Sequence, residues 1–144
     1  MKLLFLTIIA LAFIGCAKVG PNYFHSINNT PKDIQIVNLN VIADDMVSFI
    51  SPYIRPNNTT LYLYTEDKDK GFFDYLSNKF RQNGYATTEN HNLKDLTFLS
   101  YSIQEINNLL MVTYNFNESK INRTYTIENN KIISSGSIST FNLE

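Results

Sequence analysis

The chain has 144 residues, of which 44% are hydrophobic and 13% aromatic, enough to build the core of one domain. Its 12 basic and 13 acidic residues give a net charge of -1, which excludes the basic excess typical of nucleic-acid-binding proteins. Because there is a single cysteine, an intramolecular disulfide is excluded as well.

The N-terminus has the layout of a secretory signal. Lys2 supplies a positive charge, and the run from Leu3 to Ile14 is apolar apart from Thr7. This run is shorter than the about 20 apolar residues of a membrane-spanning helix, which favours cleavage over permanent insertion. We therefore expect residues 1–15 to be a lipoprotein signal peptide.

Residues 13–16, Phe-Ile-Gly-Cys, resemble the bacterial lipobox, in which a small residue precedes a lipidated cysteine. The alternative is an ordinary signal peptide that happens to contain a cysteine, but a lone thiol in an exported chain indicates a special task. We predict that Cys16 is lipidated and that the lipid alone binds the membrane. Because Ala17 and Lys18 follow Cys16, and not Asp, we expect sorting to the outer membrane with the domain facing the periplasm.

A tether and one domain are expected after the signal. Residues 16–33 are polar and broken by Gly20 and Pro21, which predicts a flexible tether. Residues 34–144 are expected to form a single α+β domain. It begins with a short apolar stretch at residues 34–39, which is either a strand or an extended lead-in.

The first predicted helix follows Asn40, a plausible N-cap. Apolar residues recur behind it at helical spacing: Ile42, Met46, Phe49, Ile50 and Tyr53. Asp44 and Asp45 then fall in the first turns, where the helix dipole stabilises carboxylates. Pro52 and Pro56 are expected to end the helix.

Residues 60–65 predict a short strand with two different faces. Leu61 and Leu63 share one face. Tyr62 and Tyr64 share the other, where they either belong to the core or form a partner-binding surface on an edge-like strand.

The second predicted helix has Asp69 as its cap and an apolar stripe. The stripe comprises Phe72, Phe73, Leu76 and Phe80. Asn83 and Gly84 end the helix, because glycine suits the left-handed conformation of a Schellman-type cap. Tyr85 can fold back as the apolar contact of that cap, and residues 85–88 indicate another short strand.

The last third of the chain alternates in polarity, with Asn-rich turns between four runs. The runs cover residues 94–106, 109–117, 120–128 and 131–141. The Asn pairs at 107–108 and 129–130 suit two-residue hairpin loops, because Asn tolerates positive φ. The sequence thus predicts an α+β fold, in which a helix-strand-helix-strand segment packs its helices on one face of a four-stranded antiparallel meander.

Candidate residues for chemistry are few. His25 falls in the tether and His91 in a loop, where a histidine is usually exposed and seldom catalytic. The carboxylates around Asp67 alternate with Lys68 and Lys70 and lack the glycine and spacing of a calcium loop. The sequence contains no nucleophile elbow, phosphate-binding loop, dinucleotide fingerprint or zinc-ligand spacing. We therefore expect no catalytic residue, no metal and no cofactor, and no enzymatic activity.

A series of landmarks lies between residues 42 and 89. They are Ile42-Ala43-Asp44-Asp45, Pro56, Thr60-Leu61-Tyr62-Leu63, Phe80-Arg81 and Gly84-Tyr85-Ala86. Together with the lipobox, they resemble the TrbH lipoproteins of conjugative type IV secretion systems. In that family an Ala-Asp-Asp helix start, a Pro before a short strand and a Leu-Arg…Gly-Tyr-Ala ending recur, and Phe80 stands here in place of the usual Leu.

The resemblance implies a lipid-anchored structural or assembly subunit of the mating-pair formation apparatus. Its partners would be the membrane, through the lipid, and the protein subunits of the secretion channel, with no nucleic acid. The residues alone leave a second class open, a surface or periplasmic lipoprotein module that binds a ligand or a peptide.

Overall fold

The computed structural model describes four stretches of the chain: residues 25–30, 36–65, 70–129 and 131–143. The predicted lipidation site Cys16, the signal segment and the predicted cap Asp69 lie outside them. The described residues form two α-helices and a seven-stranded sheet, which is a mixed α/β fold. Neither of the two helices has the length and apolar character that a membrane span requires.

The elements in chain order are β1 (Ile27–Asn29), α1 (Ile36–Ile50), a 3-10 helix (Pro56–Asn58), β2 (Thr60–Leu63), α2 (Lys70–Gln82), β3 (Ala86–Thr88), β4 (Leu96–Ile106), β5 (Leu109–Phe116), β6 (Ser119–Glu128) and β7 (Lys131–Phe141). The strand order is β3-β2-β4-β5-β6-β7, and β1 pairs with the second half of β4. Pairs among β1 to β4 are parallel, whereas β4 to β7 pair antiparallel. The sheet is larger than predicted, because the strands of the N-terminal segment join it.

Part of the predicted tether belongs to the sheet. Residues 27–29 form β1 and pair with Ser102 to Gln104 of β4. Beside them, the buried hydroxyl of Ser26 accepts a hydrogen bond of 3.3 Å from the backbone N–H of Tyr101. The tether predicted over 16–33 is therefore wrong for residues 27–29. The Ile-Asn-Asn sequence has little strand propensity of its own, and pairing with β4 fixes its conformation.

Helix α1 begins earlier than predicted. It spans Ile36–Ile50, so Asn40 lies inside the helix and is not its N-cap. Asp44 and Asp45 lie in its middle, beyond the reach of the N-terminal dipole that was expected to stabilise them. The physical reason is that the apolar periodicity continues before Asn40, since Leu39 is buried on the same helix face as the later core residues.

The predicted C-terminal cap of the second helix, at Gly84, is confirmed. Gly84 has a φ of +87°. The N–H of Tyr85 donates a hydrogen bond to the carbonyl of Phe80 at 3.1 Å. The N–H of Gly84 donates one to the carbonyl of Arg81 at 3.0 Å. The rings of Phe80 and Tyr85 pack edge to face with centroids 5.4 Å apart, which completes the Schellman motif.

Both helices pack on one face of the sheet, which we call the inner face. Phe72 of α2 packs edge to face on Tyr101 of β4, with ring centroids 5.0 Å apart. Asp45 of α1 reaches β6 on the same face. Burial alternates along β5, so every second residue points to the opposite side of the sheet. We call that side the outer face, and no helix of the described residues packs on it.

Candidate functional site

Asp45 ties the helix layer to the sheet. Its Oδ2 lies 2.7 Å from Nε of Arg123 on β6 and accepts a hydrogen bond from the hydroxyl of Tyr125 on the same strand. Arg123 also donates a hydrogen bond of 3.1 Å to the hydroxyl of Ser134 on β7. The hydroxyl of Tyr114 on β5 lies 2.8 Å from that of Tyr125. One carboxylate of α1 is thereby linked to three neighbouring strands.

Arg123 is a buried cation on the inner face. Its exposed fraction is 8%, and its guanidinium lies 5.6 Å from the ring centroid of Phe49 and 5.9 Å from that of Tyr125. Its Nε meets Asp45 off the N–H axis, so this contact is an ion pair without an aligned hydrogen bond. A charge held in this way needs its counter-ion, because an unpaired charge in such a place is costly.

The two tyrosines of this network remain protonated at neutral pH. Burial raises the pKa of Tyr125, and its hydrogen bond to Asp45 raises that pKa further. Burial and the nearby Tyr125 raise the pKa of Tyr114. The hydroxyl of Tyr125 donates its hydrogen bond to Asp45, so it accepts a hydrogen bond from the hydroxyl of Tyr114. The hydroxyls therefore serve as hydrogen-bond donors in the packing and supply no base.

Asp44 points to α2. It lies 2.9 Å from Nζ of Lys79 and accepts a hydrogen bond of 3.1 Å from the hydroxyl of Tyr75. The hydrogen bond and the charge of Asp44 raise the pKa of Lys79. This pair is at the surface, since the side chains of Lys79 and Asp44 are 32% and 47% exposed. The two adjacent carboxylates therefore join different elements: Asp44 connects α1 to α2, and Asp45 connects α1 to the sheet.

Tyr62 and Tyr64, the partner-binding candidates from the sequence, have different surroundings. Tyr62 is 4% exposed and lies on the outer face with its ring 5.2 Å from Phe98 and 6.4 Å from His91. Tyr64 is half-buried, with its ring 5.4 Å from that of His25. Tyr62 belongs to β2 and Tyr64 follows its end. Because β2 lies between β3 and β4, it is not the edge-like strand that was expected.

A cleft opens between α2 and the carboxyl ends of the parallel strands β2 and β3. Its lining residues include Leu63, Phe73, Ser77, Arg81, Thr87 and Glu89. The hydroxyls of Ser77 and Thr87 bond to each other at 3.0 Å. Across the part of the chain that the structure describes, no group of three or more His, Cys, Asp and Glu side chains is placed to hold a metal ion. The cleft offers only scattered polar groups.

The outer face is uncharged over three consecutive cross-strand rows. The rows are Ile106-Leu109-Thr126-Ile133, Gln104-Met111-Thr124 and Ser102-Thr113-Asn122-Ser139. Ile106, Leu109 and Met111 are exposed large hydrophobic residues on this face. Depletion of charge is typical of the centre of a protein interface, so this face favours contact with protein.

The two edges of the sheet differ. Strand β3 has three residues and contacts α2, whereas β7 has 11 residues, of which only Ile132 is buried. The stretch Ile132–Phe141 contains no charged residue and no proline. Natural edge strands are usually short, charged or covered. Strand β7 contacts α1, but it is long and its one charged residue is Lys131, so most of its free edge lacks these protections.

The described residues therefore form a small mixed α/β domain in which Asp44, Asp45 and Arg123 join elements and part of the open surface is uncharged. The family model of the conjugal transfer protein TrbH matches residues 21–144, and the chain belongs to this family. Comparison with curated proteins found no match, and comparison with solved structures found none either. The family match extends the resemblance, which rested on residues 42–89, to the C-terminal strands.

Proposed function

We propose that the chain is a lipid-anchored structural subunit of a conjugative type IV secretion apparatus, where it assists assembly of the mating-pair formation channel. The observation that carries this proposal is the TrbH family match over residues 21–144. The lipobox at residues 13–16 supports attachment through Cys16 to the outer membrane, with the domain in the periplasm.

The proposed role is structural and not enzymatic. Asp44, Asp45 and Arg123 each pair with another side chain that holds two elements together. Two open surfaces lack charge: the three cross-strand rows of the outer face and the stretch Ile132–Phe141 of β7. An uncharged surface suits contact with protein subunits and does not suit nucleic acid, whose phosphates require basic residues.

Affinity purification from solubilised envelopes tests the proposed partnership. The full chain, carrying a small tag, is purified in mild detergent from cells that contain the whole conjugation system. Channel proteins of that system should co-purify, and they should be missing when an unrelated tagged outer-membrane lipoprotein is purified in the same way. If the two preparations contain the same proteins, the chain is not a subunit of the channel, and the ligand-binding alternative gains support.

Metabolic labelling with palmitate tests the anchor. The wild-type chain should incorporate the label and partition into detergent. The Cys16→Ser variant should remain unlabelled, because serine lacks the thiol that the lipid donor alkylates. It should then either stay out of the detergent phase or keep its signal peptide uncleaved. The neighbouring substitution Ala17→Ser is the control and should leave labelling unchanged. A Cys16→Ser chain that is still cleaved and lipid-labelled would refute the lipobox assignment.

A further inference from the structure

The open edge of β7 has a defined segment suited to strand pairing. A bulge at Gly136, whose φ is +79°, shifts the β6-β7 register and divides β7 into two parts. The second part, Ile138–Phe141, pairs regularly with Lys120–Arg123 on one side. On its other side, the structure describes no pairing strand.

This segment exposes apolar side chains on both faces of the sheet. Ile138 lies opposite Arg123 on the inner face and is 45% exposed. Phe141 lies opposite Lys120 on the outer face and is 63% exposed. An added strand would cover both side chains and would also take up the backbone groups of the edge.

The charge pattern of β7 favours an uncharged strand as the occupant of its open edge. Because Ile132–Phe141 carries no charge, it offers no salt-bridge partner to a charged strand, whereas an uncharged strand pairs with it without loss. The same segment of a second copy is such a strand. Antiparallel pairing about a two-fold axis opposes only Ser, Thr and apolar residues across the junction, and it closes after two copies.

We propose that β7 is a self-association edge, through which two copies of the chain pair antiparallel along Ile138–Phe141 with Ser139 near the two-fold axis. Ile138 of each copy then lies diagonal to Ile138 of the other on the inner face. The two sheets form one continuous sheet, and the uncharged rows of the two outer faces lie side by side. This inference rests on the strand geometry and is independent of the role in conjugation.

The oligomeric state of the full chain in mild detergent, measured by light scattering during size exclusion, tests this pairing. The wild-type chain should be a dimer. Ser139→Lys should weaken association by about tenfold or more, because two ammonium groups then oppose each other across the axis. The matched control is Ser102→Lys, which adds the same charge to the same cross-strand row but in the centre of the sheet, and it should leave the dimer intact.

Cross-linking provides a second measurement that does not depend on a charged variant folding. Directly opposed residues have Cα atoms about 4.5–5.5 Å apart, which a disulfide can bridge. Ser139→Cys should therefore cross-link two copies under mild oxidation, while Ser102→Cys and the unsubstituted chain should not. A monomer at about 100 µM, a dimer broken equally by Ser102→Lys, or a dimer that neither cross-links at Ser139→Cys nor responds to Ser139→Lys would overturn the proposal.

Discussion

Asp44 and Asp45 are adjacent in the chain but contribute to the fold in different environments. Asp44 pairs with Lys79 at the surface between the helices. Asp45 is 27% exposed and faces Arg123, whose side chain is 9% exposed, and Tyr125 donates a hydrogen bond to it. Because water screens the first pair much more than the second, their contributions to stability should differ.

Replacing each aspartate with asparagine tests this difference with nearly identical changes. Asp45→Asn should lower the free energy of unfolding by about 2 kcal/mol, less than for a fully buried pair, because it leaves Arg123 without its counter-ion. Asp44→Asn should lower it much less, because water screens the surface pair with Lys79. Urea unfolding of the full chain, followed by circular dichroism, measures both values. Equal losses would show that Arg123 is compensated by another group.

The hydroxyls of Tyr114 and Tyr125 predict a specific sensitivity to alkali. Their pKa values are raised in the folded chain, whereas an unfolded tyrosine titrates near pH 10. The unfolded chain therefore releases these protons first, so stability is full below about pH 10 and falls as the pH rises above it. Tyr114→Phe should reduce the steepness of this loss.

The control for this prediction is Tyr53→Phe, because Tyr53 is 44% exposed and lies outside the network. Stability as a function of pH, from denaturant unfolding between neutral and alkaline pH, gives both slopes. If Tyr114→Phe and Tyr53→Phe change the slope to the same extent, burial of the Tyr114 hydroxyl is not the cause.

At the scale of elements, Gly84 fixes the passage from α2 to β3. Its φ of +87° is in the left-handed region, and an added Cβ would lie 3.3 Å from Cβ of Pro56. Gly136 in the β7 bulge also has positive φ, +79°, but an added Cβ there would meet nothing within 4 Å. Substituting alanine at the two glycines therefore distinguishes the free-energy cost of positive φ, which both variants have, from the cost of steric contact, which only Gly84→Ala has.

Gly84→Ala should destabilise the chain by about 2 kcal/mol and Gly136→Ala by about 1 kcal/mol. Both variants place an L-residue at positive φ, and only the first must also displace Pro56. Midpoints of urea unfolding compare them directly. A Gly136→Ala loss as large as that of Gly84→Ala would mean that the contact with Pro56 contributes nothing.

The elements that local chemistry determines were predictable from the sequence. The Asn83-Gly84 helix end and the Asn107-Asn108 hairpin are confirmed, with φ of +53° and +63° at the two hairpin residues. The start of α1 was missed because Asn40 was taken as an N-cap although the apolar periodicity continues to Leu39, and β1 was missed because it depends on pairing with the distant β4. Nothing local in residues 27–29 shows that they pair with β4.

The inner-face network was only partly predictable. Polarity alternates along residues 120–128, and the alternation that places Ile121 and Tyr125 on one face of the strand also puts Arg123 there. This signal was present, but a cation is usually placed in solvent, and its partner Asp45 lies on a distant helix. The open edge β7 was also only partly predictable. Its lack of charge is visible in the sequence, but its position at the edge of the sheet is not.

At the scale of the whole molecule, the domain has a packed inner face, and its outer face and β7 include uncharged stretches. The helices cover one side of the sheet through the core and through the Asp45 network. The uncharged rows of the outer face stay open in the described residues, which is compatible with the proposed role of a subunit in a larger assembly. A lipid on Cys16 would hold these surfaces close to the membrane without using any of them.

Plasmid transfer frequency tests the proposed role most directly. Deletion of the gene from its conjugation system should lower transfer sharply, and expression of the wild-type chain should restore it. Restoration by the Cys16→Ser chain should be weaker, because an unanchored subunit is not held at the membrane. Normal transfer after deletion, with all channel subunits still assembled, would contradict the account.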